Sequence, residues 1–339
     1  MFAAGNGHTV FIRSNGSAVA GGQNDFGQCI LPDLDEGLTY VQAAAGGSHS
    51  VLVRSDGSAV SCGCNDFGQC TLPELDEGVT YVQAAAGKEH TVLIRSDGSA
   101  VACGRNCRGS CTLPELEEGL TYVQASAGYH HTVLIRSDGS AVACGRNHSG
   151  ECTLPELGEG LTYVQAEAGA AHTVLLRSDG SAAACGSNWF GACDLPELDE
   201  GLTYVQAAAG STHTVLIRSD GSAVFCGSQR FAPGRADRLP WLLDPCRRTI
   251  ALMSNDGSYV FRGRAWLGGQ CMLLEPDEGL MYVQAVAGSR YSVLIRSDGS
   301  AVACGQDGSF EYVLPELDAG VDMRALCCSL VLQACFHGS

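Results

Sequence analysis

The sequence predicts an all-β protein, a β-propeller of three-stranded blades about 41 residues long, and three observations predict it. First, one unit recurs along the 339-residue chain. The glycine of a Ser-Asp-Gly turn (Ser-Asn-Gly in the first copy) falls at Gly16, Gly57, Gly98, Gly139, Gly180 and Gly221, always 41 residues apart. Two further copies follow at Gly257 and Gly299, 36 and 42 residues on, so the chain holds eight units and part of a ninth. Second, each unit reads as three short β-rich runs separated by turns marked with glycine and proline. Third, no stretch carries the 3.6-residue apolar period of an amphipathic helix. Stacked units share one continuous core, so one body spanning 1–339 is expected. The period does not decide between seven and eight blades.

The third copy justifies each element in turn. Thr91-Val92-Leu93-Ile94-Arg95 is apolar on both alternate faces, which suits a strand buried on both sides. Ser96-Asp97-Gly98-Ser99 is a tight reversal, with glycine supplying the positive φ of a hairpin loop. Ala100-Val101-Ala102-Cys103-Gly104 returns as the second strand. A turn, Arg105 to Ser110, leads into the acidic connection Leu113-Pro114-Glu115-Leu116-Glu117-Glu118-Gly119. Leu120-Thr121-Tyr122-Val123-Gln124-Ala125 alternates as a third strand and ends in small residues that let backbones approach closely. Helical repeats are excluded by a glycine every ten or so residues, and leucine-rich repeats are too short. WD40 blades share the period but not their Trp-Asp ending.

Units one to five are nearly uniform. Unit six departs after Gly227, and 229–264 forms an irregular basic segment within a degenerate blade. Seven arginines against three aspartates give it a local charge of +4 inside a chain of −17. The tail around Cys328-Ser329-Leu330-Val331-Leu332 reads as a ninth first strand that closes the ring or caps an open edge.

Composition narrows the function. With 37 acidic and 20 basic residues, the chain repels phosphate backbones and anionic membranes, so direct nucleic-acid or membrane binding is not expected. Neither a signal-like start nor an apolar run long enough for a bilayer is visible, and the cytoplasm or nucleus is the expected location. Of 18 cysteines, six precede the glycine closing the second strand (Cys62, Cys103, Cys144, Cys185, Cys226, Cys304) and six sit in the next turn (Cys29, Cys70, Cys111, Cys152, Cys193, Cys271). Reduced packing residues are the first reading. Disulfides between the two series, such as Cys103 with Cys111, and a metal cluster are the alternatives, although paired Cys-x-x-Cys spacing is missing.

The repeated histidines (His8, His49, His90, His131, His172, His213) are spread over six units instead of meeting in one constellation, so a structural role is expected. No phosphate loop, zinc-hydrolase motif or nucleophile elbow appears, and neither an enzyme nor a cofactor is predicted. Positions that differ between copies carry the binding signal, because loops on a rigid scaffold are where recognition sits. Lys88, Tyr129 and His130 lie between the fixed glycine and histidine, and Trp189 lies in the turn after the second strand. Phe26, Phe67 and Phe190 occupy the same turns and are expected to pack beneath them. Arg230, Arg235, Arg238 and Trp241 in the irregular segment complete the candidate partner-binding set. The acidic connections read as a solvated rim or as a docking face for a basic protein.

Ala85-Ala86-Gly87-x-x-His90-Thr91-Val92-Leu93-Ile94 resembles the signature of the regulator of chromosome condensation family. Ser96-Asp97-Gly98 through Cys103-Gly104-x-Asn106 and Leu113-Pro114 resemble its short-repeat branch, that of the beta-lactamase inhibitory proteins. The resemblance implies a ring of blades, usually seven. Three departures stand out: cysteine or another residue where the branch often has tryptophan, eight units, and a degenerate seventh. The expected function is a non-enzymatic, monomeric scaffold that binds a partner protein through propeller loops. The family resemblance also implies guanine-nucleotide exchange on a small GTPase, or substrate recruitment to a ubiquitin ligase. For exchange, only 229–264 offers room for an inserted wedge.

Overall fold

The computed structural model describes residues 1–227, 251–253, 259–261, 272–276, 278–289 and 291–305. Each blade is a meander of three antiparallel strands. Blade 1 comprises β1 (Phe2–Ala4), β2 (His8–Ile12) and β3 (Ala18–Gly22), and blade 2 comprises β4 (Tyr40–Ala45), β5 (His49–Arg54) and β6 (Ala59–Gly63). Blade 3 holds β7 (Tyr81–Ala86), β8 (His90–Arg95) and β9 (Ala100–Gly104), and blade 4 holds β10 (Tyr122–Ala127), β11 (His131–Arg136) and β12 (Ala141–Gly145). Blade 5 holds β13 (Tyr163–Ala168), β14 (His172–Arg177) and β15 (Ala182–Gly186), and blade 6 holds β16 (Tyr204–Ala209), β17 (His213–Arg218) and β18 (Ala223–Gly227). Three short strands follow, β19 (Ala251–Met253), β20 (Tyr259–Phe261) and β21 (Met272–Leu274). Blade 7 is β22 (Tyr282–Ala287), β23 (Tyr291–Arg296) and β24 (Ala301–Gly305).

The degenerate seventh unit is not a blade of the ring. Its strands pair with outer edges: β21 with β18 of blade 6, and the β19–β20 hairpin with β24 of blade 7. Blade 6 therefore packs directly on blade 7. Val215, Ile217 and Ala208 bury themselves against Tyr282, Ala285 and Leu294, as Val51, Val53 and Ala44 do against Tyr81, Ala84 and Leu93. This explains why the middle strand is apolar on both faces: Val51 and Val53 face one neighbour and Leu52 the other. Blade 7 meets blade 1 through Ile295, Val286, Phe2 and Phe11. Among the described residues the units thus yield seven blades. The turn at Gly257, the segment 229–250 and the tail beyond 305 lie outside the described residues.

A circle of backbone hydrogen bonds closes the ring at one end. The amides of Asn6, Gly47, Lys88, Tyr129, Ala170, Ser211 and Ser289 each donate to a carbonyl of the next blade (Gly46, Gly87, Gly128, Gly169, Gly210, Ser289 and Gly5) at 3.0–3.3 Å. At the other end the hairpin turns of blades 1 to 6 each dock on the following blade, with Tyr81 N donating to Gly57 O at 2.7 Å and Tyr282 N to Gly221 O at 2.9 Å. Midway, a glutamine ladder ties the innermost strands together. Gln42 accepts from Ala84 N at 2.6 Å and donates to Ala84 O at 2.8 Å, so its amide acts as one more peptide group. Gln83, Gln124, Gln165 and Gln206 each accept from the equivalent amide of the next blade.

Candidate functional site

The site is built on the end of the ring where second strands begin. Each histidine there reaches across the blade seam: His49 Nε2 lies 3.0 Å from Thr91 Oγ1, His131 Nε2 3.0 Å from Thr173 Oγ1, and His213 Nε2 2.7 Å from Ser292 Oγ. The hydroxyl is already committed as a donor, Thr91 to Gln69 O at 2.8 Å and Thr173 to Glu151 O at 2.7 Å. With its one proton spent, it accepts from the imidazole, which assigns the Nε2–H tautomer. Burial depresses these imidazoles to about 4 (His8, His90, His172, His213) or about 3 (His49, His131), so all six are neutral at pH 7. The preceding glycine is required for this fit. A Cβ on Gly87 would meet His90 Cε1 at 2.3 Å and Gly128 O at 2.5 Å. In blade 7 Tyr291 replaces the histidine; its hydroxyl donates to His8 O at 2.7 Å and accepts from Thr9 Oγ1 at 2.9 Å, closing the seam with blade 1. The histidines are thus interblade ties.

Above this layer, the residue after each glycine lines an open funnel on the ring axis. Tyr129 spans it. Ser211 Oγ donates to the Tyr129 hydroxyl at 2.8 Å, and that hydroxyl lies 2.6 Å from Ser289 Oγ, joining blades 4, 6 and 7. Lys88 Nζ sits 5.7 Å from the centroid of the Tyr129 ring, and His130 packs edge-on to the same ring at 6.4 Å. The structure therefore brings Lys88, Tyr129 and His130 together, with the tyrosine as a plug whose hydroxyl is occupied. Burial and then the Lys88 ammonium push the His130 imidazole below its ordinary value.

Around the funnel runs an arc of charged and aromatic loop tips. Arg105 Nη1 lies 2.7 Å from Glu89 Oε2, and its guanidinium stands 4.6 Å over the Phe67 ring. Arg108 Nη1 is 3.0 Å from His148 Nε2. Trp189, on the loop after β15, is 89 % exposed and stands apart from the funnel cluster. Phe26 (53 % exposed) and Phe67 (44 %) are held out in solvent instead of packing under their turns. The buried Gln28 and Gln69 take that inner place, each accepting from the Phe amide two residues before it at 3.0 Å. Variation between copies marks Arg108 and His148 among the diversified loop positions, but the candidate set left them out; Arg105 was missed, although its own variation between copies was the usable signal. Arg230, Arg235, Arg238 and Trp241 lie outside the described residues.

The described cysteines are free thiols, half-buried except for exposed Cys107 and buried Cys226. Burial raises Cys62 and Cys144 to about 11 and Cys103 to about 12, which keeps them protonated and weakly nucleophilic. Among the described residues, no group of three or more His, Cys, Asp or Glu is placed to hold a metal ion. No helix among them is long and apolar enough to cross a membrane.

These features define a class: a seven-bladed all-β propeller with a diversified loop face. Three consecutive units, residues 40–69, 81–110 and 122–151, match the model of the regulator of chromosome condensation (RCC1) repeat, so blades 2 to 4 carry RCC1 repeats. No curated protein matches the chain in sequence. Solved structures match its fold. Prp20p from Saccharomyces cerevisiae, described with its binding properties to Gsp1p and histones, aligns over 98 % of this chain and 85 % of its own at 17 % identity, TM-score 0.66. Human WBSCR16 aligns over 89 % and 85 % at 14 % identity, TM-score 0.64. The CRINKLY WD40 ectodomain of the Arabidopsis thaliana receptor kinase ACR4 aligns over 92 % and 97 % at 16 % identity, TM-score 0.60.

Proposed function

We propose that this propeller is a non-enzymatic protein-interaction scaffold that engages its partner through the funnel and loop face. The observation that carries the reading is where the copies differ. Blades 1 to 6 share one set of seam contacts, while Lys88, Tyr129, Arg105, Arg108, His148 and Trp189 change from blade to blade on a single face. Exposed tryptophan and arginine are the side chains that dominate binding energy at protein interfaces. The loops stand on a rigid ring, so partner binding would lose little entropy in ordering them. In this reading the chain acts as a monomer, in the cytoplasm or nucleus, without a cofactor.

A second reading is regulation of a small GTPase. Its support is that a protein of the same fold, Prp20p, is described with binding properties to Gsp1p. Affinity capture tests both, comparing wild type with a variant carrying Trp189→Ala, Phe67→Ala and Arg108→Ala, all exposed positions. A partner held by wild type and weakened at least about tenfold in the variant supports the loop-face reading. An unchanged partner set contradicts it. A GTPase among the partners, with nucleotide release accelerated by the purified chain, shifts the reading to regulation.

A further inference from the structure

The opposite face of the ring carries an apolar feature that the scaffold does not explain. The second residue of each full innermost strand forms a β-bulge. Tyr81 pairs with Arg95 and Gln83 with Ile94, leaving Val82 between them outside the register. The same bulge recurs at Val41, Val123, Val164, Val205 and Val283. Five of these valines are 50–59 % exposed and Val283 is 37 % exposed, with Met281 beside it at 43 %. β1 begins at Phe2, past the equivalent position. Because these strands are the innermost of their blades, the valines stand around the mouth of the ring axis, at the end away from the Tyr129 plug. A run of apolar side chains repeated around one mouth marks an interaction surface more than chance exposure does.

The charge around this mouth selects the occupant. The hairpin turns project there, each with one aspartate except in blade 1, where Asn15 takes the place, and hydrogen bonds from Ser58 and Ser99 hold Asp56 and Asp97 below the usual carboxylate range. The acidic connections lie at the same end, because Asp76 reaches Arg95, the last residue of β8, at 3.8 Å, and Asp35 reaches Arg54 at 3.9 Å. Glu77, Glu118 and Glu200 extend the exposed acidic rim. One arginine per blade offsets only part of it. Two copies meeting through this face would bring like charges together, which argues against self-association.

We infer that the valine mouth is a docking site for a cationic amphipathic segment of a partner protein, with apolar side chains seated in the ring and lysine or arginine reaching the rim carboxylates. This surface is independent of the loop face proposed above. The test is fluorescence anisotropy of the purified chain with a short labelled peptide in which lysines flank a pair of leucines. Control peptides replace lysine by glutamate or leucine by serine. The expected result is binding of the first peptide only, weakened by salt, lost at least about tenfold in Val82→Thr/Val123→Thr/Val164→Thr, and unchanged in Trp189→Ala. Threonine keeps the β-branched shape and removes only apolarity. Should that variant melt early, Asp76→Asn with Glu117→Gln and Asp199→Asn carries the test through the rim. The inference is overturned by any of three outcomes: no binding, equal binding of the leucine-free peptide, or a dimer in sedimentation that the valine variant abolishes.

Discussion

The two faces of this ring differ in what repetition has left unchanged. On the hairpin face nearly every blade presents the same Ser-Asp-Gly turn, bulged valine and acidic connection. On the loop face the tips change from blade to blade, yet the residue directly beneath stays fixed. His130 is variable and partly exposed, whereas its neighbour His131 is buried and ties blade 4 to blade 5. One residue separates the variable tip from the seam that carries load. A fold of this kind can alter its loop tips without touching the seams, because each seam is closed by the layer below the tips.

That contrast can be broken most strongly at the seam. His131→Ala should cost about 2–4 kcal/mol, since it opens a buried cavity and strips the Thr173 hydroxyl of its donor. Urea denaturation reads the loss, and a change under about 0.5 kcal/mol would remove the histidines from the account.

Acid sharpens the comparison next. The six seam imidazoles are held at about 3–4 when folded and return to about 6.5 when unfolded, so the unfolded chain binds more protons between these values. Their contribution is present above pH 6.5 and is lost as pH falls toward 4. The melting temperature should drop steeply through that window. Glu167 opposes this trend. It occupies the position where Ala44, Ala85 and Ala208 pack against the next blade, and burial raises its carboxyl to about 7. Its stabilisation is present at acid pH and fades as pH rises through 7, so Glu167→Gln should raise the melting temperature at pH 8 and leave it unchanged at pH 4.

The smallest effect belongs to the tips. Trp189→Ala should change stability by less than about 0.5 kcal/mol, because the indole is in solvent. A larger loss would mean that the loop face also carries load.

Much of this was legible before any coordinates. The 41-residue period, the strand runs and the turn glycines specify three-stranded blades. Blade number was not legible. The seventh unit keeps its Asn255-Asp256-Gly257 turn, so the period counts it, while its strands have lost the partners that would seat them in the ring. Whether a unit becomes a blade depends on its neighbours' faces, and Val215 and Ile217 fit Tyr282 and Leu294 without it. For the site, variation between copies pointed to Lys88, Tyr129, His130 and Trp189. The valine mouth and glutamine ladder went unseen because they are uniform, and uniform positions read as core. Tyr129 was legible as a binding candidate but not as a plug, since Ser289 lies 160 residues away in sequence.

The central claim is a seven-bladed ring formed without the seventh unit. Replacing residues 228–281 by the 187–203 connection, which joins blades 5 and 6, tests it directly by thermal unfolding. The account predicts a soluble chain with one cooperative transition within about 5 °C of wild type. Aggregation, or loss of the cooperative transition, would contradict it and make the seventh unit part of the ring.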